Sequence, residues 1–256
     1  MKISACYITL NEEENLRRSL RSCADLVDEI VVVDCGSVDA TAQVAAQFGA
    51  RWQHQDWLGY VDQKNLALSL ASNEWILSLD ADEELSPKLR AELQSIKRRG
   101  AAEAVVGFSM PRCVLYEGRW IRHGDWYPDR LVRLFRRARS RFVGGKVHER
   151  LELSGKVRPF SGELYHYSFR NADDHWARCQ KYAKLWAETQ CAVGKRVAFT
   201  TPYTRAAIRW LRGYIWRRGF LDGRQGRRIA RFCAREVYLK YHTLRTLNHK
   251  PEVKEG

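Results

Sequence analysis

No stretch of this chain approaches the roughly 18 consecutive apolar residues that a membrane-spanning helix needs, so no such helix is expected. A secretory leader is not expected either: Lys2 is followed by one strand's worth of apolar residues and then by Glu12, Glu13 and Glu14. Cysteine is present without organisation. The seven cysteines (6, 23, 35, 113, 179, 191 and 233) are odd in number and never spaced C-x-x-C, which argues against a disulfide scaffold and a thiolate zinc site and fits a reducing compartment. A cytoplasmic protein is expected. There is no G-x-G-x-x-G turn, which argues against a nicotinamide-dependent dehydrogenase. Helix-turn-helix, zinc-finger and RNP-like signatures are absent, so nucleic acid is not the expected partner. Internal repeats, low-complexity tracts and flexible linkers are missing as well.

Acid is scarce in only one part of the chain. Residues 1–110 hold 11 Lys and Arg against 17 Asp and Glu, a net of −6. Residues 111–194 hold 17 against 9, a net of +8, and residues 195–250 hold 15 against 2, a net of +13. An acidic N-terminal half joined to a basic C-terminal half implies an anionic partner for the latter, such as a phosphorylated glycolipid or an anionic membrane surface.

The N-terminal half alternates apolar runs with helical patterns. Ile3 to Thr9, Glu29 to Asp34, Arg51 to His54 and Glu74 to Leu79 read as strands. Between them, Asn11 is expected to cap a helix with Glu14 as its capping box and Leu16 and Leu20 on its apolar face. Val61 to Ala71 is expected to be helical too. The pattern predicts an α/β fold with an open, mostly parallel sheet flanked by helices, whose ligands bind beyond the strands' C-terminal ends. Three polar clusters fall on that edge: Thr9, Asn11 and Glu13; Asp34, Ser37 and Asp39; and Asp80 with Asp82. Turn and cap chemistry accounts for Asn11, Ser37 and Asp39, but not for Asp34 and Asp80, each of which ends an apolar run. Two carboxylates one residue apart at a strand end suit Mg²⁺ or Mn²⁺, leaving coordination positions open for phosphate oxygens. A phosphatase is disfavoured, because the aspartate pair follows the fourth strand and not the first.

The segments ITLNEEENL, IVVVDCGSVDAT and LSLDADEEL, in this order and spacing, resemble the inverting glycosyltransferases of family 2 with a GT-A fold. WYPDRLVRLFRR, GGKVHERL and RGFLDGRQG resemble the lipopolysaccharide core β-1,4-glucosyltransferase subgroup. The resemblance runs from about residue 2 to 245, with Cys35 and Val38 where Ser and Thr are commoner. It implies a UDP-hexose donor, UDP-glucose first, and a Mg²⁺ or Mn²⁺ cofactor. The implied acceptor is a lipid-anchored oligosaccharide, specifically an inner-core heptose, at the cytoplasmic face of the inner membrane. Donor contacts are implied for Thr9, Asn11, Glu13, Asp34, Ser37, Asp39, Lys64, Asp80 and Ala81, with Asp34 at the uracil edge. Metal contacts are implied for Asp80, Asp82 and His148. A polyprenyl-phosphate sugar transferase and a non-catalytic glycolipid-binding protein are the competing readings.

Inverting transfer is a single displacement that needs one base at the acceptor hydroxyl. Glu149 in the V-H-E motif is favoured, ahead of Asp129 and Asp125; an ion pair with Arg130 or Arg133 is its structural alternative. Trp126 and Tyr127 offer faces to sugar rings, and Arg130 and Arg133 can grip anionic groups bidentately. His166 and Tyr167 remain unassigned. The expected organisation is a nucleotide-sugar half over 1–110, an acceptor and catalytic half over 111–170, and a basic helical extension over 171–256. Within that extension Tyr203 to Phe220 is expected as one amphipathic helix, with Ile208, Leu211 and Ile215 as its apolar stripe. A second helix is expected over about Arg227 to Leu247, and the two basic helices suit an anionic membrane surface.

Overall fold

The structure is a computed structural model that describes residues 1–144, 149–169 and 171–248. The chain forms two compact units, Met1–Cys113 with Asp129–Tyr167, and Val114–Pro128 with Ser168–Gly256.

In the first unit, β1 (Ile3–Thr9), α1 (Glu13–Cys23), β2 (Glu29–Asp34), α2 (Thr41–Gln47), β3 (Arg51–His54), α3 (Tyr60–Leu70) and β4 (Trp75–Ser78) follow the expected alternation within a residue or two. β5 (Glu83–Leu85), α4 (Pro87–Arg99) and β6 (Val105–Tyr116) come next, β6 ending in the second unit, where it meets β7 (Arg119–Ile121). β8 (Asp129–Arg136), β9 (Ser140–Gly144), β10 (Glu149–Leu153), β11 (Lys156–Pro159) and β12 (Leu164–His166) complete the unit. The sheet order is β3-β2-β1-β4-β8-β6-β12-β5. The pairs β1–β2, β1–β4 and β2–β3 are parallel, whereas β4–β8 and β6–β8 are antiparallel. The four N-terminal strands are thus parallel, β8 joins them antiparallel, β12 pairs antiparallel with β5, and β11 runs parallel to β6. β9 and β10 form a separate antiparallel hairpin. Leu16 and Leu20 of α1 are fully buried with Val32, Leu77 and Leu134 in the main core, as the helical spacing predicts.

The cap expected at Asn11 is not formed. Glu12 occupies the N-cap position of α1 with no side-chain bond to a helix N–H among those described, its carboxylate accepting from Asn15 Nδ2 at 2.7 Å, and Asn11 sits at φ 55°, its side chain accepting from Val38 N–H at 2.8 Å. Asn tolerates this left-handed conformation, and the bond from Val38 satisfies its side-chain carbonyl.

The second unit holds α5 (Ala172–Ala192), α6 (Thr201–Leu211) and α7 (Gly223–Asn248), with α7 packed against both others. Among the described residues no helix is long and apolar enough to cross a membrane. The single helix expected over 203–220 is interrupted. After α6 the chain makes one π-type turn, Arg212–Trp216, and then a 3₁₀ turn, Gly219–Asp222. The cause is a close approach: a Cβ on Gly213 would lie 2.8 Å from Asp125 Oδ2, and one on Gly219 would lie 2.6 Å from the Gly213 carbonyl oxygen.

An aromatic cluster of Tyr116, Trp126, Phe169 and His175 fills this unit, with Trp126 stacked on Phe169 at 5.0 Å between centroids. Trp126, expected as a sugar platform, is half-buried and has one ring face covered by Phe169. Burial pushes the His175 imidazole down to about 4, against the pull of Glu236. The unfolded chain thus takes up this proton first, so the contribution of His175 is complete above pH ~6.5 and is lost as pH falls toward 4. Urea unfolding of wild type should lose up to about 3 kcal/mol more than His175→Phe over that window. Parallel curves for the two proteins would contradict this.

Candidate active site

The polar clusters at the ends of β1 and β2 interlock. Asn11 N–H donates to Ser37 Oγ at 2.7 Å, Glu12 N–H to Thr41 Oγ1 at 2.9 Å and Glu13 N–H to Asp39 Oδ2 at 3.2 Å. Asp34 is 1% exposed and sits beneath these loops. Its carboxylate accepts from Thr9 Oγ1 at 2.8 Å, Ser37 Oγ at 2.5 Å, Gly36 N–H at 2.8 Å and Ser37 N–H at 2.7 Å. Four donors fill the acceptor capacity of a carboxylate. Asp34 is thus the organiser of the loop, and a direct bond to a base requires exchange of one of these four.

Asp80 follows β4 and is held between two cations. Lys64 Nζ of α3 lies 3.0 Å from Oδ1, and an Arg133 guanidinium nitrogen from β8 lies 2.5 Å from Oδ2. The same Arg133 nitrogen reaches Glu83 Oε1 at 2.6 Å. Burial would raise the Asp80 carboxyl, but Arg133 and Lys64 outweigh it and hold Asp80 well below the usual carboxylate range. For Glu83 burial dominates and pushes its carboxyl up, with Arg133 opposing and Asp80 adding to the rise. Arg133 is 7% exposed. Its guanidinium compensates Asp80 and Glu83 here, so the grip on an anionic group expected of it would need exchange of one of these carboxylates. The side chain of Ala81 is buried in the main core, which leaves only its backbone for a ligand.

Lys64 also lies 3.3 Å from Glu149 Oε1, at the start of β10. One buried ammonium thus joins the aspartate of the D-x-D segment to the favoured base candidate. The partner of Glu149 is this lysine and not the Arg130 or Arg133 expected for an ion pair. Asp129 instead accepts from Arg112 at 2.6 Å and 3.1 Å, and Arg130 donates to the Phe160 carbonyl at 3.2 Å. Asp125, Trp126 and Tyr127 belong to the second unit. There the Asp125 carboxylate is 3% exposed and meets Arg209 and Arg212 at 3.1 Å and Arg217 at 3.6 Å. Asp125 is thus buried as the common anchor of three arginines. His148 lies outside the described residues.

His166, unassigned from the sequence, finds a partner here. Its Nε2 lies 3.2 Å from Asp82 Oδ2, because β12 pairs antiparallel with β5 directly after the D-x-D turn. Glu83 carries no role in the sequence reading; its signal is the strand alternation that puts it on the same buried face as Leu85. Among the described residues no three His, Cys, Asp or Glu side chains gather as a metal cluster. A hard cation placed here would find a carboxylate in Asp82 and would need phosphate and water oxygens to complete its shell, as Mg²⁺ usually does.

The family model described as Glycosyl transferase family 2 matches residues 4–152. The lipopolysaccharide core biosynthesis glycosyltransferase LpsC of Rhizobium meliloti is 32% identical, the alignment covering 100% of this chain and 97% of LpsC. An uncharacterized glycosyltransferase of Rickettsia typhi is 28% identical over 97% of this chain and 88% of its own length. Among solved structures, S. aureus TarS 1–349 in complex with UDP superimposes with a TM-score of 0.47 at 15% identity, covering 96% of this chain and 90% of that chain.

Proposed function

Because the chain belongs to glycosyltransferase family 2, we propose that it transfers a hexose, glucose from UDP-glucose first, to a heptose hydroxyl of a lipid-anchored inner-core oligosaccharide, with inversion. The observation that carries this reading is Lys64, 3.0 Å from Asp80 and 3.3 Å from Glu149, which brings the donor carboxylates and a base within one side chain's reach. The likeness to a lipopolysaccharide core glycosyltransferase over the whole chain supports the acceptor class. The enzyme works at the cytoplasmic face of the inner membrane, where that acceptor is presented.

In the displacement, the acceptor oxygen forms its bond to the anomeric carbon as the bond from that carbon to the diphosphate oxygen breaks. The electron pair leaves with the nucleoside diphosphate, and Glu149 takes the hydroxyl proton. Lys64 fixes the Glu149 carboxylate, and the loops organised by Asp34 line the nucleoside. Asp82, with His166 beside it, would hold Mg²⁺ or Mn²⁺, a cation that would supply charge neutralisation for the diphosphate.

Thermal unfolding in the presence of UDP, GDP, ADP or CMP, with and without Mn²⁺, tests this. UDP at a hundred times its dissociation constant should stabilise the fold by roughly 2.7 kcal/mol. Asp82→Ala should abolish the Mn²⁺-dependent part of that shift and transfer itself, with the ligand-free Tm unchanged. A shift with GDP but none with UDP would contradict the donor assignment. Full Mn²⁺ dependence in Asp82→Ala would contradict the metal assignment.

A further inference from the structure

We infer that the corner between α6 and α7 is a docking surface for an anionic lipid bilayer, an inference that rests on the lipid-anchored acceptor proposed above. The apolar stripe of α6 faces outward. Ile208, Leu211 and Ile215 are 59%, 52% and 50% exposed, and Trp216 in the π-type turn is 85% exposed. Phe220 and Leu221, four and five residues later, are about half exposed as well. An amphipathic helix in water normally turns such a stripe into the core. Here the inward side of the corner is occupied by the ion pairs of Arg209, Arg212 and Arg217 with Asp125, and the apolar side is left in solvent. A run of exposed aromatic and aliphatic side chains around one corner marks an interaction site.

Charge selects the occupant. Arg205, Arg218, Arg224, Arg227 and Arg231 are exposed, and among the described residues none of them is ion-paired with a carboxylate. A second copy of the chain would bring these arginines against their own kind across a symmetric contact. An anionic bilayer satisfies both features: Trp216, Leu211 and Phe220 enter the headgroup and acyl boundary while the arginines meet lipid phosphates.

The test is co-sedimentation of the full chain with vesicles of phosphatidylglycerol and phosphatidylcholine, without donor or acceptor, so it is read whether or not the transfer reaction is as proposed. Wild type should pellet, and Leu211→Ser with Trp216→Ser should lower the partition coefficient roughly tenfold per side chain. Replacing Arg218, Arg224, Arg227 and Arg231 with Gln should cost about fivefold per residue at low salt, and phosphatidylcholine alone should bind wild type no better than this variant. These positions are exposed, so the variants should keep the wild-type circular dichroism and turnover on a soluble deacylated acceptor, losing turnover only on the vesicle-embedded one. Failure of wild type to pellet, equal pelleting of Leu211→Ser/Trp216→Ser, or self-association abolished by Trp216→Ser without vesicle binding would each overturn the inference.

Discussion

Glu149→Gln is expected to lower kcat by roughly 10² to 10⁴ while leaving the donor KM nearly unchanged. Glutamine keeps the size of the side chain and can still accept a hydrogen bond from Lys64 Nζ, 3.3 Å from Oε1 in the wild type. It cannot take the acceptor proton. The loss therefore falls on the chemical step and not on binding. Asp129→Asn removes the ion pair with Arg112 and should have a far smaller effect, because it is Glu149 that Lys64 links to Asp80. Single-turnover assays on the two variants separate the possibilities. An active Glu149→Gln beside an inactive Asp129→Asn would reverse the assignment.

Arg133→Met should destabilise the fold by about 3 kcal/mol or more, since removal of one partner leaves a buried charge uncompensated. Glu83 has no exposed side-chain surface and relies on Arg133 at 2.6 Å, whereas Asp80 retains Lys64 at 3.0 Å. Glu83 should respond by taking up a proton, in the direction burial already drives it. The double variant Arg133→Met with Glu83→Leu should recover much of the loss, because a buried ion pair often exchanges for apolar side chains at little net cost. Urea unfolding of the three variants is the measurement. A loss under about 1 kcal/mol in Arg133→Met would mean that the network contributes little to the fold.

The features legible in the sequence were those set by local pattern. A run of apolar residues ending in one acid located both Asp34 and Asp80, and 3.6-residue spacing located Leu16 and Leu20. What escaped was set by partners far along the chain. Arg133 stands 53 residues from Asp80 and 50 from Glu83, and nothing in WYPDRLVRLFRR distinguishes it from the more exposed Arg130. Lys64 and Glu149 are 85 residues apart, so their contact awaited the packing of α3 beside the β9–β10 hairpin. Asp125 illustrates the same limit from the other direction: an acid beside aromatics reads as a base candidate until three arginines are found around it. Periodicity also drew the α6 stripe correctly but carried no information on which side would meet solvent.

The central claim is inverting hexosyl transfer from a UDP-sugar in this site. The measurement that tests it most directly is the anomeric configuration of the product, read from the H-1 to H-2 coupling by NMR. The reaction would contain UDP-glucose, Mn²⁺ and a deacylated heptose-containing oligosaccharide. The account predicts a β-linked glucose formed from the α-linked donor, with product formation lost in Asp82→Ala and severely slowed in Glu149→Gln. An α-linked product, or transfer that proceeds at the wild-type rate in Glu149→Gln, would contradict it.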